Sequence, residues 1–178
     1  MRNLVERIKT LLLTPRTEWP VIERERKTAL DLFVNYAAIL AAIPEVAHLI
    51  GQSFVGEDRA PFLSGLLRAV ISYAVSLAAV YVVAGIIDLL APRFGAKKNF
   101  PNALKLSVYS YTPLWLAGIF LIVPGLNFLL VLGFYGFYLL WVGLPLLMQV
   151  PNSDGEALRY TAVVAACALV PLLVLAIV

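Results

Sequence analysis

Five apolar runs, each long enough to cross a lipid bilayer, constrain this chain more than anything else in it. They cover residues 29–54, 66–90, 104–123, 126–150 and 161–178. A spanning helix needs roughly 20 residues, with about 17–25 the usual range. Apolar types make up 61% of the 178 residues and charged types 14%, against roughly 45–50% and 25% in soluble domains. Mean hydropathy is +0.87. A soluble domain of this size cannot hide so much apolar surface.

The runs lack the strict apolar–polar alternation of membrane barrel strands. Helices satisfy their own backbone groups, which lipid cannot do. The expected fold class is therefore all-α: an integral membrane bundle of five transmembrane helices with an amino-terminal amphipathic segment at the interface. The third and fourth runs are separated by "PGLN", good turn chemistry that implies a tight helical hairpin. Pro44, Pro113, Pro145 and Pro171 are expected to bend their helices.

Residues 1–27 differ from the rest and form a separate cytoplasmic segment ahead of the membrane domain, 28–178. They hold seven Lys or Arg, too much charge for a secretory signal peptide, and no cleavage is expected. Leu4, Val5, Ile8, Leu11 and Leu12 fall near helical spacing, with Arg2, Glu6, Arg7 and Lys9 between them. That pattern predicts a short amphipathic helix lying on the membrane. Thr14-Pro15 is expected to open a second helical piece. Trp19 and Ile22 then serve as an apolar interfacial anchor beside Arg16, Arg24, Arg26 and Lys27, since tryptophan favours headgroup depth. Glu6, Glu18, Glu23 and Glu25 dilute the positive charge, so a nucleic-acid partner is not expected.

Basic residues also mark the second loop, with Arg93, Lys97 and Lys98 followed by Lys105. The third loop has none. Such asymmetry places the amino terminus in the cytoplasm and the carboxyl terminus outside.

Glu45 and His48 are the residues most open to a functional reading. At about 1.5 Å per residue, Glu45 lies about 24 Å beyond Ala29 in a hydrocarbon core about 30 Å thick. It is therefore past the midplane. His48 is three positions on and shares the face. The pair can serve a proton or ion pathway, contact a partner or lipid, or simply be structural polar residues near the outer interface. Two ligands fall short of the three or four of a zinc site, so no metal is expected. Asp88 lies at the opposite depth and is expected to pair with Arg93, Lys97 or Lys98, or to cap nearby backbone. Asp31 has a similar structural explanation.

Gly133, Gly136 and Gly143 in "GFYGFYLLWVGLP" allow close helix approach, either within the bundle or against a partner. Ser107, Ser110, Tyr111 and Thr112 offer interhelical hydrogen bonds. No catalytic or cofactor-binding signature is visible, and no enzyme activity or cofactor is expected. The single cysteine, Cys167, permits no internal disulfide.

The leading "LLLTPRTEWPVIERE", the five runs, "YSYTPLW" and "YGFYLLWVGL" together resemble the Yip family, the Ypt/Rab-interacting proteins. Pro15, Trp19, Ile22 and Glu23 resemble the pattern before the first span of its bacterial-looking members. The resemblance implies a short prokaryotic-type polytopic protein of the cytoplasmic (inner) membrane. Eukaryotic relatives act in vesicle trafficking through small GTPases, which does not transfer directly to a short prokaryotic member. Two functions follow. The first is a nonenzymatic membrane-organising or partner-binding scaffold, whose partners are membrane lipids and a second copy or another membrane protein. The second is a small transporter or ion-permeating protein using Glu45 and His48.

Overall fold

The computed structural model describes residues 3–55, 62–123, 125–151 and 154–177. Every regular element among them is helical. Among the described residues, three stretches are long and apolar enough to cross a membrane: Ala29–Ser53, Leu63–Phe94 and Asn127–Leu147. They correspond to the first, second and fourth expected spans.

The expected third span, 104–123, is not one continuous helix. It is built from Phe100–Ser110, Thr112–Ala117 and a 3₁₀ piece, Gly118–Ile122. Pro113 explains the break. It has no N–H to offer the carbonyl of Tyr109, and its ring crowds that carbonyl. The chain turns at Tyr111 and restarts with Pro113 in the first turn, where proline is tolerated. The expected fifth span falls on the helix Asp154–Ile177. Its side chains from 168 onward lie outside the described residues, as does Arg59 of the first loop.

The hairpin between the third and fourth segments forms at Gly125, whose φ of +96° belongs to the left-handed region. The returning segment opens as a 3₁₀ helix, Asn127–Phe134. Such a helix rises about 2.0 Å per residue, so it covers more depth than the same residues in an α-helix.

The first long helix is capped by Thr28, whose hydroxyl accepts from the backbone N–H of Asp31 at 3.1 Å. Its Oγ also donates to the Asp31 carboxylate at 2.8 Å. A π-helical turn, Phe33–Ala37, follows and contains Tyr36. One helix later, Asp88 shows no ion pair with Arg93, Lys97 or Lys98 among the described residues; its Oδ1 is buried without a partner. The 3₁₀ turn Ala91–Phe94 directs the chain away at this point, ending on Gly95 in the left-handed region.

The amino-terminal segment is a helical hairpin, α1 (Leu4–Leu13) and α2 (Pro15–Arg24). Trp19 and Ile22 do not reach toward headgroups as an interfacial anchor would. They are 1% and 0% exposed inside the bundle. The Trp19 indole fills the notch at Gly143, where a Cβ would lie 2.5 Å from the ring. It meets Tyr109 edge to face, with ring centroids 6.2 Å apart. The slot covers the ring on several sides at once, and it leaves the indole Nε1 buried without a hydrogen-bond partner among the described residues.

Replacing Gly143 with Ala should destabilise the fold by about 1–3 kcal/mol, the usual cost of overfilling a packed site. Gly85→Ala, where nothing lies within 4 Å, should be neutral or slightly stabilising. Thermal unfolding of the two variants in detergent checks the contrast.

Candidate functional site

Glu45 and His48 face one cavity, together with residues that were not singled out from the sequence. The two line a cavity of about 340 Å³ with Arg68, Ser72, Ser76 and Trp115. Arg68, Ser72 and Ser76 are spaced four apart, so they form one polar stripe down the second long helix. That spacing was readable, but the apolar background drew attention to run length rather than to face.

Depth brings the two helices' polar groups level. Glu45 is eight residues from the Ser53 end of its span, about 12 Å at 1.5 Å per residue. Arg68 is five residues from the Leu63 end of the next, about 8 Å on the same scale. The two therefore differ in depth by only about 4 Å. A carboxylate and a guanidinium facing one cavity are far less costly there than either facing lipid.

Pro44 shapes this site from the side. It does not leave an open kink: Gly118 lies directly against it, and a Cβ at Gly118 would sit 2.4 Å from the Pro44 Cβ. Gly51 meets the Leu121 carbonyl even more closely than a side chain would permit, at 2.4 Å for a built Cβ. The two glycines hold the broken third segment tight to the first helix, and the cavity opens on the other face of Pro44.

Toward the opposite end the cavity is floored by protein. Trp115, 1% exposed, donates from Nε1 to the Ser76 hydroxyl at 3.1 Å. Beneath it the Tyr36 and Thr112 hydroxyls are hydrogen-bonded at 2.9 Å. The Tyr36 and Tyr109 rings then meet with centroids 4.7 Å apart. This aromatic layer separates the Glu45 cavity from a second polar cluster under the amino-terminal hairpin.

That second cluster is built on buried charge. Arg7 and Glu18 are 3% and 2% exposed and form an ion pair. Arg7 also pairs with Glu25. Lys105, 7% exposed, donates to the carbonyls of Ile22, Glu23 and Glu25 at 3.2, 3.3 and 2.7 Å. Sequence reasoning treated Arg7 and Lys105 as surface charge and missed both roles. Their partners are more than ten residues away in the chain, so no local spacing reveals them.

The three glycines all meet neighbours in the same chain. Gly133 lies against Leu114, Gly136 against the Ser110 carbonyl, and Gly143 against Trp19 and Leu106. Among the described residues no group of three or more His, Cys, Asp or Glu is placed to hold a metal.

Residues 9–178 match the Yip1 domain. The chain belongs to the Yip1 domain family. It is also similar to inner membrane protein YohC of Escherichia coli K12, at 28% identity over 152 residues, covering 79% of this chain and 78% of the relative. The same protein in Escherichia coli O6:H1 matches to the same extent. No solved structure matches. Yip1 membership and the long apolar helices together make this an integral membrane protein.

If water fills the Glu45 cavity, a cysteine at Glu45 or Ser72 should react with a polar maleimide in intact membranes. Cysteines at Ile39 and Val46, which are 50% and 54% exposed on the outside of the bundle, should be shielded by lipid and react several-fold more slowly. Labelling rates in a Cys167→Ser background check this.

Proposed function

We propose that this Yip1-family protein is a nonenzymatic scaffold of the inner membrane, working by contact with partners or lipid. The observation that carries the reading is the fixed amino-terminal hairpin. Lys105, Trp19 and a hydrogen bond from the Tyr135 hydroxyl to the Leu12 carbonyl at 2.8 Å tie it to the bundle. Its outer face is left open, with Val5 and Leu13 at 68% and 70% exposed. A docked helix pair with a mixed apolar and basic outer face is a rigid contact surface, not a loose tail. The inner-membrane assignment draws on the name of the YohC relative.

Five spans, with the amino terminus cytoplasmic and the carboxyl terminus outside, fit this arrangement. The interrupted third segment and the Asp154–Ile177 helix supply the two additional crossings. Residues 1–27 then form the cytoplasmic segment and 28–178 the membrane domain. Arg93, Lys97 and Lys98 fall between the second and third segments, at the end that the positive-inside rule assigns to the cytoplasm.

A second reading, a small transporter or ion-permeating protein, is favoured by one observation, the polar cavity that contains Glu45, His48 and Arg68. The Trp115 and Tyr36–Tyr109 layer would then have to open for passage.

Photocrosslinkers at Val5 and Leu13 should give a discrete crosslinked species in native membranes. Lys105→Met, which releases the C-terminal end of α2, should abolish that species while the chain stays inserted. Crosslinking that is indifferent to Lys105 would remove the docked hairpin from the proposal. Reporter fusions should place the two termini on opposite sides of the membrane; finding both on one side overturns the five-span arrangement. In reconstituted vesicles, ion flux that is lost in Glu45→Gln would favour the transport reading over the scaffold.

A further inference from the structure

A cleft of about 540 Å³ opens where the hairpin meets the start of the first long helix. It is lined by Arg7, Arg26, Lys27, Asn35 and Tyr36 together with the carboxylates of Glu25 and Asp31. Three cationic side chains stand in the wall with two acids, and Glu18 pairs with Arg7 from behind. Both acids are already engaged. Glu25 is held by Arg7 and Lys27, and Asp31 accepts from the Thr28 hydroxyl.

The donors are less fully used. Arg26 and Asn35 form no hydrogen bond or ion pair among the described residues, and both are exposed. Arg7 is 3% exposed and is held in the wall by Glu18 and Glu25, so the donors open to the cleft are those of Arg26, Lys27 and Asn35. Leu4 and Leu32 complete the wall, so the cleft is polar at one side and apolar at the other.

Position identifies the ligand further. The first span begins at Ala29. Leu32 and Tyr36 are therefore within its first two turns, and Arg26 and Lys27 directly precede it. The cleft thus straddles the headgroup level, where phosphates are concentrated and acyl chains begin. Basic pockets at this depth suit anionic headgroups.

We infer that this cleft binds the phosphate of a glycerophospholipid, with Arg26, Lys27 and Asn35 as donors and Leu4 and Leu32 against the glycerol and upper acyl carbons. The inference is independent of whether the chain acts as scaffold or transporter. It assigns a lipid site to the junction of hairpin and bundle, so bound lipid would stabilise the docked hairpin by mass action.

The full-length chain, purified in neutral detergent, can be titrated with dioleoyl phosphatidylglycerol and the bound lipid counted by native mass spectrometry. Arg26→Gln combined with Asn35→Leu removes two donors that bond nothing among the described residues, so folding should be preserved. Binding should weaken roughly tenfold, the expected effect of one interfacial cation and one hydrogen bond. Arg26→Lys should retain most of it. Arg93→Gln combined with Lys98→Gln, which removes exposed charge elsewhere, should leave it unchanged. Dioleoylglycerol, with the same tails and no phosphate, should bind poorly.

Equal weakening in the Arg93/Lys98 variant would show general electrostatic attraction and overturn the site. Equal binding of dioleoylglycerol would show tail recognition and do the same. An sn-glycerol 3-phosphate competition separates the two sources of phosphate. Lipid that persists against a large excess of the soluble compound supports the headgroup; displacement at comparable concentration makes a soluble phosphate the ligand and overturns the lipid assignment.

Discussion

A single buried ammonium holds the two parts of this protein together. Lys105 lies near the start of the third segment and reaches the last carbonyls of α2. Carbonyls at a helix end are short of helical partners, although that of Ile22 also accepts from the Glu25 N–H at 3.3 Å, and the end of the helix carries partial negative charge. The lysine meets both needs with one group. In return, the carbonyls replace the water that an ammonium loses on burial. Without the carbonyls the ammonium would be a desolvated charge with nothing to bond.

Everything at that end of the bundle is arranged around this contact. With the end of α2 fixed, Trp19 is directed into the notch at Gly143, and Arg7 is brought against Glu18 and Glu25. The ion pairs by themselves are weak evidence of stability, since desolvation offsets much of the attraction. Their geometric effect is clearer. They set the angle between α1 and α2 and so determine which face of the hairpin is hidden. The aromatic layer of Tyr36, Tyr109 and Trp115 continues from there toward the Glu45 cavity. The polar groups at the two ends of the bundle are thus separated by aromatic side chains, with a few hydroxyls bonded to one another between them.

The architecture was legible in the sequence wherever it depended on run length. Helical class, the Pro15 start of α2, the turn at Gly125 and the shared face of Glu45 and His48 all follow from local rules. The interruption at Tyr111 was half legible: Pro113 was noted as a bend, but hydropathy alone presented 104–123 as continuous. The position of Trp19 was not legible. An amphipathic helix has the same pattern whether its apolar face meets lipid or protein, and only the distant Gly143 distinguishes them. For the same reason Arg68 and Lys105 looked like flanking charges. Their roles are set by residues on other helices, and periodicity carries no information about which helices become neighbours.

The Trp19–Gly143 contact has a consequence for how the chain is made. The hairpin is synthesised before the rest of the bundle, and its slot is completed 124 residues after Trp19. At about 5–20 residues per second, that delay is on the order of 10 s. During this time the apolar face of α1 and α2 has no protein to cover it, and the nearest apolar medium is the bilayer surface. The amphipathic pattern that ends buried in the bundle therefore serves twice: it holds the nascent chain at the membrane, and it later becomes the wedge that closes the fold.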